Sequence, residues 1–292
     1  MHPEIFSIGK FTIRSYGFML AIGFLTGITL AARRAQKSGE NPDHIYNLSI
    51  WAVISSLLGA RVYYIITHYS EFRASKDTPI LTRFFTELKS MFWPIGSDGQ
   101  IGISGLMLYG GVICATIAVA IYLKKHKLNV LRYMDFIAPS LGLGEFFTRM
   151  GCFLNGCCFG KPTEATLGIV FPDSSVAGYY FSDVHIHPTQ LYNSIFGLTI
   201  CILILFLERY KRFDGFSALL FFMLYPLGRF FIDFFRHYES ELMVGGMSQF
   251  QILSIIIFCG AVSAMVFLWK TAGRRKENGG NSHLQNKVEI SS

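Results

Sequence analysis

Charge is scarce in this sequence. Only 15% of its 292 residues are Asp, Glu, Lys or Arg, where a soluble chain carries about 25%. The scarcity argues against a water-soluble domain, and the hydrophobic share of 51% points to lipid. A cleavable leader is not expected either, since residues 1–10 show no basic segment running into an apolar one. The first apolar segment is therefore expected to stay as an uncleaved anchor. No internal repeat is visible. Six cysteines, at 114, 152, 157, 158, 201 and 259, do not space as a disulfide framework. The adjacent pair Cys157-Cys158 lacks the spacing of a zinc site, so no metal is expected. The net charge of +7 brings no clustered basic face with stacking aromatics, which excludes a nucleic-acid role.

What is present is a series of long apolar runs. A bilayer-crossing helix needs about 20 mostly apolar residues. Seven segments qualify: 16–32, 46–67, 105–123, 134–153, 191–207, 216–235 and 249–269. The fold class is thus an all-α polytopic membrane protein of about seven transmembrane helices. Basic residues favour the cytoplasmic side. Fifteen of the 26 Lys and Arg follow the first, third, fifth and seventh spans, among them Arg33, Arg34, Lys124, Lys125, Arg209 and Lys211. That bias puts the N-terminus outside and the C-terminus in the cytoplasm. Residues 1–272 read as one membrane domain and 273–292, charged and rich in Gly and Asn, as a disordered cytoplasmic tail. Two long segments face outward. Residues 69–104 carry Phe84, Phe85, Phe92 and Trp93 and look interfacial or re-entrant. Residues 156–190, with Pro162, Pro172 and Pro188, read as an outer loop or small cap.

Charge inside the apolar runs is then the informative feature. An arginine at the centre of a membrane helix costs roughly 2.5–3.5 kcal/mol on insertion scales. Arg61, Arg149, Arg229 and Arg236 all lie in or at the ends of such runs. Several buried cations in one membrane protein point to an anion. Tyr225, Arg229, Asp233 and Arg236 are spaced 4, 4 and 3, which lines them along one helix face. There a guanidinium can take a phosphate in bidentate fashion, with Asp233 holding the arginine. An interhelical salt bridge that only fixes packing is the plainer reading of any one of these residues. Gly110-Gly111 beside Tyr109 admits two readings as well: close helix approach, or room for a lipid headgroup to reach the backbone. In His187-Pro188-Thr189-Gln190, Thr189 suits a helix cap.

Arg14-Ser15-Tyr16-Gly17, Tyr109-Gly110-Gly111, the run Arg149 to Gly160, His187 to Tyr192, Tyr225 to Arg236 and Ser248 to Ser254, in this order, resemble the prolipoprotein diacylglyceryl transferase family. The resemblance covers most of the chain. It implies a seven-helix bundle in the bacterial cytoplasmic (inner) membrane, chemistry near the outer face and no cofactor. The implied partners are phosphatidylglycerol and prolipoprotein signal peptides with a lipobox cysteine. The implied reaction moves the diacylglyceryl group to that thiol, forming a thioether and releasing glycerol phosphate. Arg149 is expected to bind the donor phosphate and Arg229 to stabilise it as it leaves, oriented by Asp233 where the family has Glu. Tyr16, Tyr225 and Tyr109 complete the expected catalytic set. Arg61, Gly110, Gly111, Asn155 and Gly160 join Arg149 and Asp233 as expected substrate-binding positions. The chain departs from the family pattern at Tyr109, commonly His, and at Cys152 and Cys157, near a common Asn and Glu. A relative with the same donor but another acceptor, or a transporter for an anion, are the competing readings. Transporters often show two matching halves, and none is visible here.

Overall fold

The computed structural model describes residues 4–8, 11–69, 107–238 and 243–290. The helices are α1 (Ser15–Lys37), α2 (Asp43–Thr67), α3 (Leu108–Lys125), α4 (Val130–Asn155), the short α5 (Val176–Tyr180), α6 (Thr189–Leu207), α7 (Phe216–Ile232) and α8 (Gln249–Ile290). Helix occupies most of the described part of each expected segment. Five stretches among the described residues are long and apolar enough to cross a membrane: Ser15–Lys37, Asp43–Thr67, Thr189–Tyr210, Phe216–Phe235 and Gln249–Ala272. Their outward side chains are bare and large. Leu25, Ile66, Ile195, Ile256 and Phe267 are each at least 63% exposed, an apolar surface suited to lipid rather than water. The expected interfacial segment falls almost wholly in 70–106, outside the described residues. Helical backbone continues to Ile290, through the region expected to be a disordered tail.

The all-α expectation needs one correction. Two short strand pairs are present, β1 (Glu4–Ile8) with β2 (Phe11–Arg14) and β3 (Met243–Val244) with β4 (Met247–Ser248), the second antiparallel. The second is a two-residue hairpin. Its turn is Gly245-Gly246, with φ of 58° and 81°, and a turn with two positive φ values suits glycine and matches strand twist.

The chain divides into two compact units. The first is built from Arg14–Ala35 and Leu131–Ser292, and so holds α1 and α4–α8; the second comprises Glu4–Ile13 and Gln36–Val130, and so holds α2 and α3. In the second unit the α2–α3 crossing is made by glycines. A Cβ on Gly110 would overlap the Gly59 carbonyl and Tyr63, and one on Gly59 would overlap Gly110 and Cys114. Small residues at a crossing let the backbones touch, which is how membrane helices gain packing without a hydrophobic driving force.

In the first unit α4 is the central element. Gly142 meets Gly197 of α6, Gly23 of α1 meets Phe147, and Ser140 donates to the Gly27 carbonyl at 2.8 Å. A cluster of Ala138, Ile200, Ile204, Ala218 and Phe221 joins α4, α6 and α7. The segment expected as an outer cap folds on its own small core of Phe159, Phe171, Ala177 and Ile186. Ser175 accepts from Gly178 N at 3.1 Å and so caps α5.

Candidate functional site

The first unit places two arginines near the ends of two helices. Arg149 sits in the last turns of α4, and its Nε meets Glu145 Oε1, one turn earlier, at 2.7 Å. Tyr225 of α7 donates to the same oxygen at 3.3 Å. Glu145 therefore sets the position of both groups. Sequence reading assigned it no role, although an acid four residues before a membrane arginine is the signal that would have found it.

Arg229 is 8% exposed. Its Nε faces Asp233 Oδ1 at 3.2 Å and its Nη2 donates to Tyr238 Oη at 3.0 Å. Tyr238 in turn donates to Asp233 Oδ1 at 2.8 Å, and Ser248 Oγ donates to Asp233 Oδ2 at 2.9 Å. Ser248 and Gln251 lock each other at the start of α8, through Ser248 N to Gln251 Oε1 at 2.9 Å and Gln251 N to Ser248 Oγ at 3.1 Å. Both Asp233 oxygens are engaged, and Arg229 Nη1 is buried with no partner. Beside this network lies a cavity of about 120 Å³, bordered by Lys161, Arg236, Tyr238, Ser248 and Gln251 among others. Burial pushes the Tyr238 hydroxyl up to about 12, with Asp233 adding to the rise and Arg229 and Arg236 opposing it. Tyr238 is thus a neutral donor across the physiological range. Nothing in its local sequence marked it.

The expected helix face from Tyr225 to Arg236 is interrupted. Helix α7 stops at Ile232, Asp233–Phe235 is a 3₁₀ turn and Arg236 is extended, with φ −83° and ψ 141°. Arg236 leaves the helix because its backbone bridges Gly160. Gly160 N donates to the His187 carbonyl at 3.0 Å and Lys161 N to the Phe235 carbonyl at 2.8 Å. A Cβ on Gly160 would come 2.6 Å from His187 and 2.7 Å from the Phe235 carbonyl, so only glycine fits. Thr189 is not a cap: Pro188 is the N-cap residue, and Thr189 Oγ1 donates instead to the Cys158 carbonyl at 3.0 Å.

Between Arg149 and Gly160 the chain turns sharply. Asn155 ends α4, Gly156 has φ 70° and Cys157 N returns to the Cys152 carbonyl at 3.1 Å. The turn brings the Sγ atoms of Cys152, Cys157 and Cys158 within 4.8 Å of one another. Tyr16 lies over this corner: a Cβ on Gly151 would stand 3.1 Å from its Cα, and Cys152 and Arg149 are within electrostatic reach of its hydroxyl. Tyr16, Arg149, Asn155, Gly160, Tyr225, Arg229 and Asp233 therefore belong to one unit. Arg61, Tyr109, Gly110 and Gly111 belong to the other. There the Arg61 guanidinium lies 5.7 Å from the Tyr64 ring, Tyr109 is 60% exposed, and both glycines pack on α2.

Residues 3–267 match the sequence profile described as prolipoprotein diacylglyceryl transferase. The phosphatidylglycerol–prolipoprotein diacylglyceryl transferase of Clostridium tetani is 34% identical over 236 residues, covering 81% of this chain and 86% of that protein. The protein of Clostridium perfringens named phosphatidylglycerol–prolipoprotein diacylglyceryl transferase 2 is 32% identical over 276 residues, covering 94% of this chain and 97% of its own. A profile match over nearly the whole chain, with relatives of the same length on either side of one-third identity, places this chain in the prolipoprotein diacylglyceryl transferase family.

Proposed function

We propose that the chain transfers the diacylglyceryl group of phosphatidylglycerol to the lipobox cysteine of a prolipoprotein. Arg229 is the observation that carries this reading. A buried guanidinium, fixed through two nitrogens and holding its third without a partner, in a network whose Asp233, Tyr238 and Ser248 border a cavity that Lys161 and Arg236 also line, is a prepared donor for an oxyanion. A phosphate in that position supplies the missing acceptor and the counter-charge.

The steps follow from charge. The acceptor thiol loses its proton, helped by the cationic surroundings, since a free thiol titrates near ~8.5 and nearby cations lower that value. The thiolate sulfur attacks the glyceryl carbon that bears the phosphate oxygen. The S–C bond forms as the C–O bond breaks, and glycerol phosphate departs with the electron pair. Negative charge grows on the leaving oxygen, where Arg229 and Arg149 stabilise the transition state more than the bound lipid. Asp233 and Glu145 orient those arginines, and the Tyr225 hydroxyl steadies Glu145. Tyr16, Asn155 and Gly160 shape the corner that admits the headgroup. Tyr109 is assigned a catalytic role and Arg61, Gly110 and Gly111 substrate binding, and no cofactor is assigned to the reaction.

The same reading gives seven spans, with the N-terminus outside, the residues from Gly273 in the cytoplasm and the protein in the bacterial inner membrane. The span count rests on the seven apolar runs, the orientation on the distribution of Lys and Arg and the inner membrane on the family resemblance.

The test uses purified protein, phosphatidylglycerol micelles and a lipobox peptide, read by peptide mass. The expected product is the peptide plus one diacylglyceryl group, absent when the peptide cysteine is serine. Arg149→Ala and Arg229→Ala are expected to be inactive while still inserting. Binding of the donor with no transfer to any lipobox peptide would point to a different acceptor.

A further inference from the structure

We propose that Cys152, Cys157 and Cys158 form a three-thiolate site for one soft d10 cation of the zinc class. The spacing of these cysteines in sequence argues against a metal, because no zinc-finger pattern places two ligands side by side. The fold supplies what the spacing does not. Helix α4 ends at Asn155, Gly156 turns the chain back, and the return places both later thiols against the one left behind on the helix. All three Sγ atoms then lie within 4.8 Å of one another. A Zn–S bond of about 2.3 Å sets sulfurs about 4.0 Å apart in a trigonal site and about 3.8 Å apart in a tetrahedral one. Small side-chain rotations close that difference.

The corner is built, not incidental. Cys158 holds φ at 61°, a left-handed conformation that a residue other than glycine seldom adopts and that clusters at functional sites. Two fully buried side chains keep it there: Gln190 Nε2 donates to the Cys157 carbonyl at 2.8 Å and Thr189 Oγ1 to the Cys158 carbonyl. Cys152 is buried while Cys157 and Cys158 are half-buried, which leaves a side open for a fourth ligand such as water.

Charge is balanced as well. Three thiols lose three protons on binding a divalent ion, and the complex carries one net negative charge. The guanidinium groups of Arg149 and Arg236 act on Cys158 from nearby and offset it. The ion would clasp the end of α4 to the strand that leads to Gly160, and so stiffen the corner between Arg149 and Arg236. The proposal is independent of the transfer reaction, because it concerns ligand atoms and not donor lipid.

The experiment takes the full chain in detergent, reduced and freed of metal by chelator. Cd²⁺ is titrated as a probe and its thiolate charge-transfer absorption followed, with Zn²⁺ then added in competition. The expected result is saturation at one ion per chain and displacement by Zn²⁺. Each of C152S, C157S and C158S should weaken Cd²⁺ binding at least tenfold, and a C114S/C201S/C259S variant should bind as the parent does. No absorption, or absorption unchanged in all three single variants, overturns the proposal. So does an alkylation count showing that protein isolated without reductant holds a disulfide within the trio, since the cluster is then a redox pair. If C152S fails to insert, C157S and C158S decide the matter, because their side chains are half-buried.

Discussion

Two buried arginines sit toward opposite ends of the same unit, and they are satisfied very differently. Arg34 of α1 donates through Nη1 to the carbonyls of Asp135 and Phe136, at 2.9 and 3.2 Å, and through Nη2 to Glu208. Asp135, wholly buried, pairs with Lys211 at 2.9 Å and accepts from the backbone of Gly215 at 2.8 Å and Ala218 at 3.0 Å. A carboxylate on α4 thus caps the N-terminus of α7, where four N–H groups need acceptors and negative charge is favoured. That network is closed. At the other end, roughly 21 Å along α7 from Gly215 at 1.5 Å per residue, Arg229 retains a buried Nη1 with no partner. The contrast is between a network closed on protein groups and one that leaves a buried donor without an acceptor.

The comparison breaks first, and by the largest margin, if the two arginines are neutralised in parallel. Arg229→Gln should lower the transfer rate by about 10²–10³, the usual loss on removing a donor from developing negative charge, with a fall in melting temperature limited by the Tyr238 and Ser248 hydroxyls that still donate to Asp233. Arg34→Gln should do the opposite. It leaves a partly buried Glu208 and two carbonyls without their donor, so stability should fall by about 3 kcal/mol, while transfer persists at low temperature. Transfer assays and thermal unfolding in the same detergent check both. A stable, inactive Arg34→Gln would erase the distinction.

Next in size is the cap. Asp135→Ala removes an acceptor for two backbone N–H groups and should cost about 2 kcal/mol. Asp135→Asn should cost less, because an amide oxygen still accepts one of them. Unfolding midpoints in denaturant order the two variants against the parent.

Much of the candidate site was legible in the sequence, and the closed network around Arg34 and Asp135 was not. Arg149 and Arg229 announced themselves because arginine in an apolar run is costly, and Asp233 because it stands one turn from Arg229. Arg34 was read only as a topology marker after the first span, and Asp135 was not read at all. Its partners at 211, 215 and 218 are about eighty residues away, and no local pattern signals a cap supplied by another helix. Tyr238 and the extended Arg236 were hidden for a related reason. A helical period of 3.6 continues on paper past Ile232, whereas the chain turns to bridge Gly160. The three cysteines show the same limit, since their meeting depends on the positive φ at Gly156. For Gly110 and Gly111 the sequence offered packing and headgroup access together, and the packing against α2 is what the structure displays.

The closed network also carries a pH signature. Burial alone would pull the Lys211 amine down, but pairing with Asp135 and Asp214 outweighs it and holds the amine above its ordinary 10.5. A folded-state value above the unfolded one gives stability that is fully present below 10.5 and lost as pH rises through the folded value. The side chain is 24% exposed, so the contribution is about 1 kcal/mol. The melting temperature of the parent should therefore exceed that of Lys211→Met near neutral pH, and the gap should narrow above pH 10.5. A gap that widens there would place the stabilisation elsewhere.

The smallest effect tests whether an unpartnered polar atom signals function by itself. Ser217 Oγ, in the first turn of α7, is fully buried and has no hydrogen-bond partner, just as Arg229 Nη1 has none. It differs in being neutral, small and close to the closed end, beside Ala218 and Asp135. An isolated buried hydroxyl is a desolvation cost with nothing gained in return, so removing it should be neutral or slightly stabilising. Ser217→Ala is expected to leave transfer unchanged and to shift stability by no more than about 1 kcal/mol, toward the folded state. Losing transfer in this variant would mean that an orphaned donor at either end matters to the reaction, and Arg229 would then owe its role to its charge and cavity rather than to its missing partner.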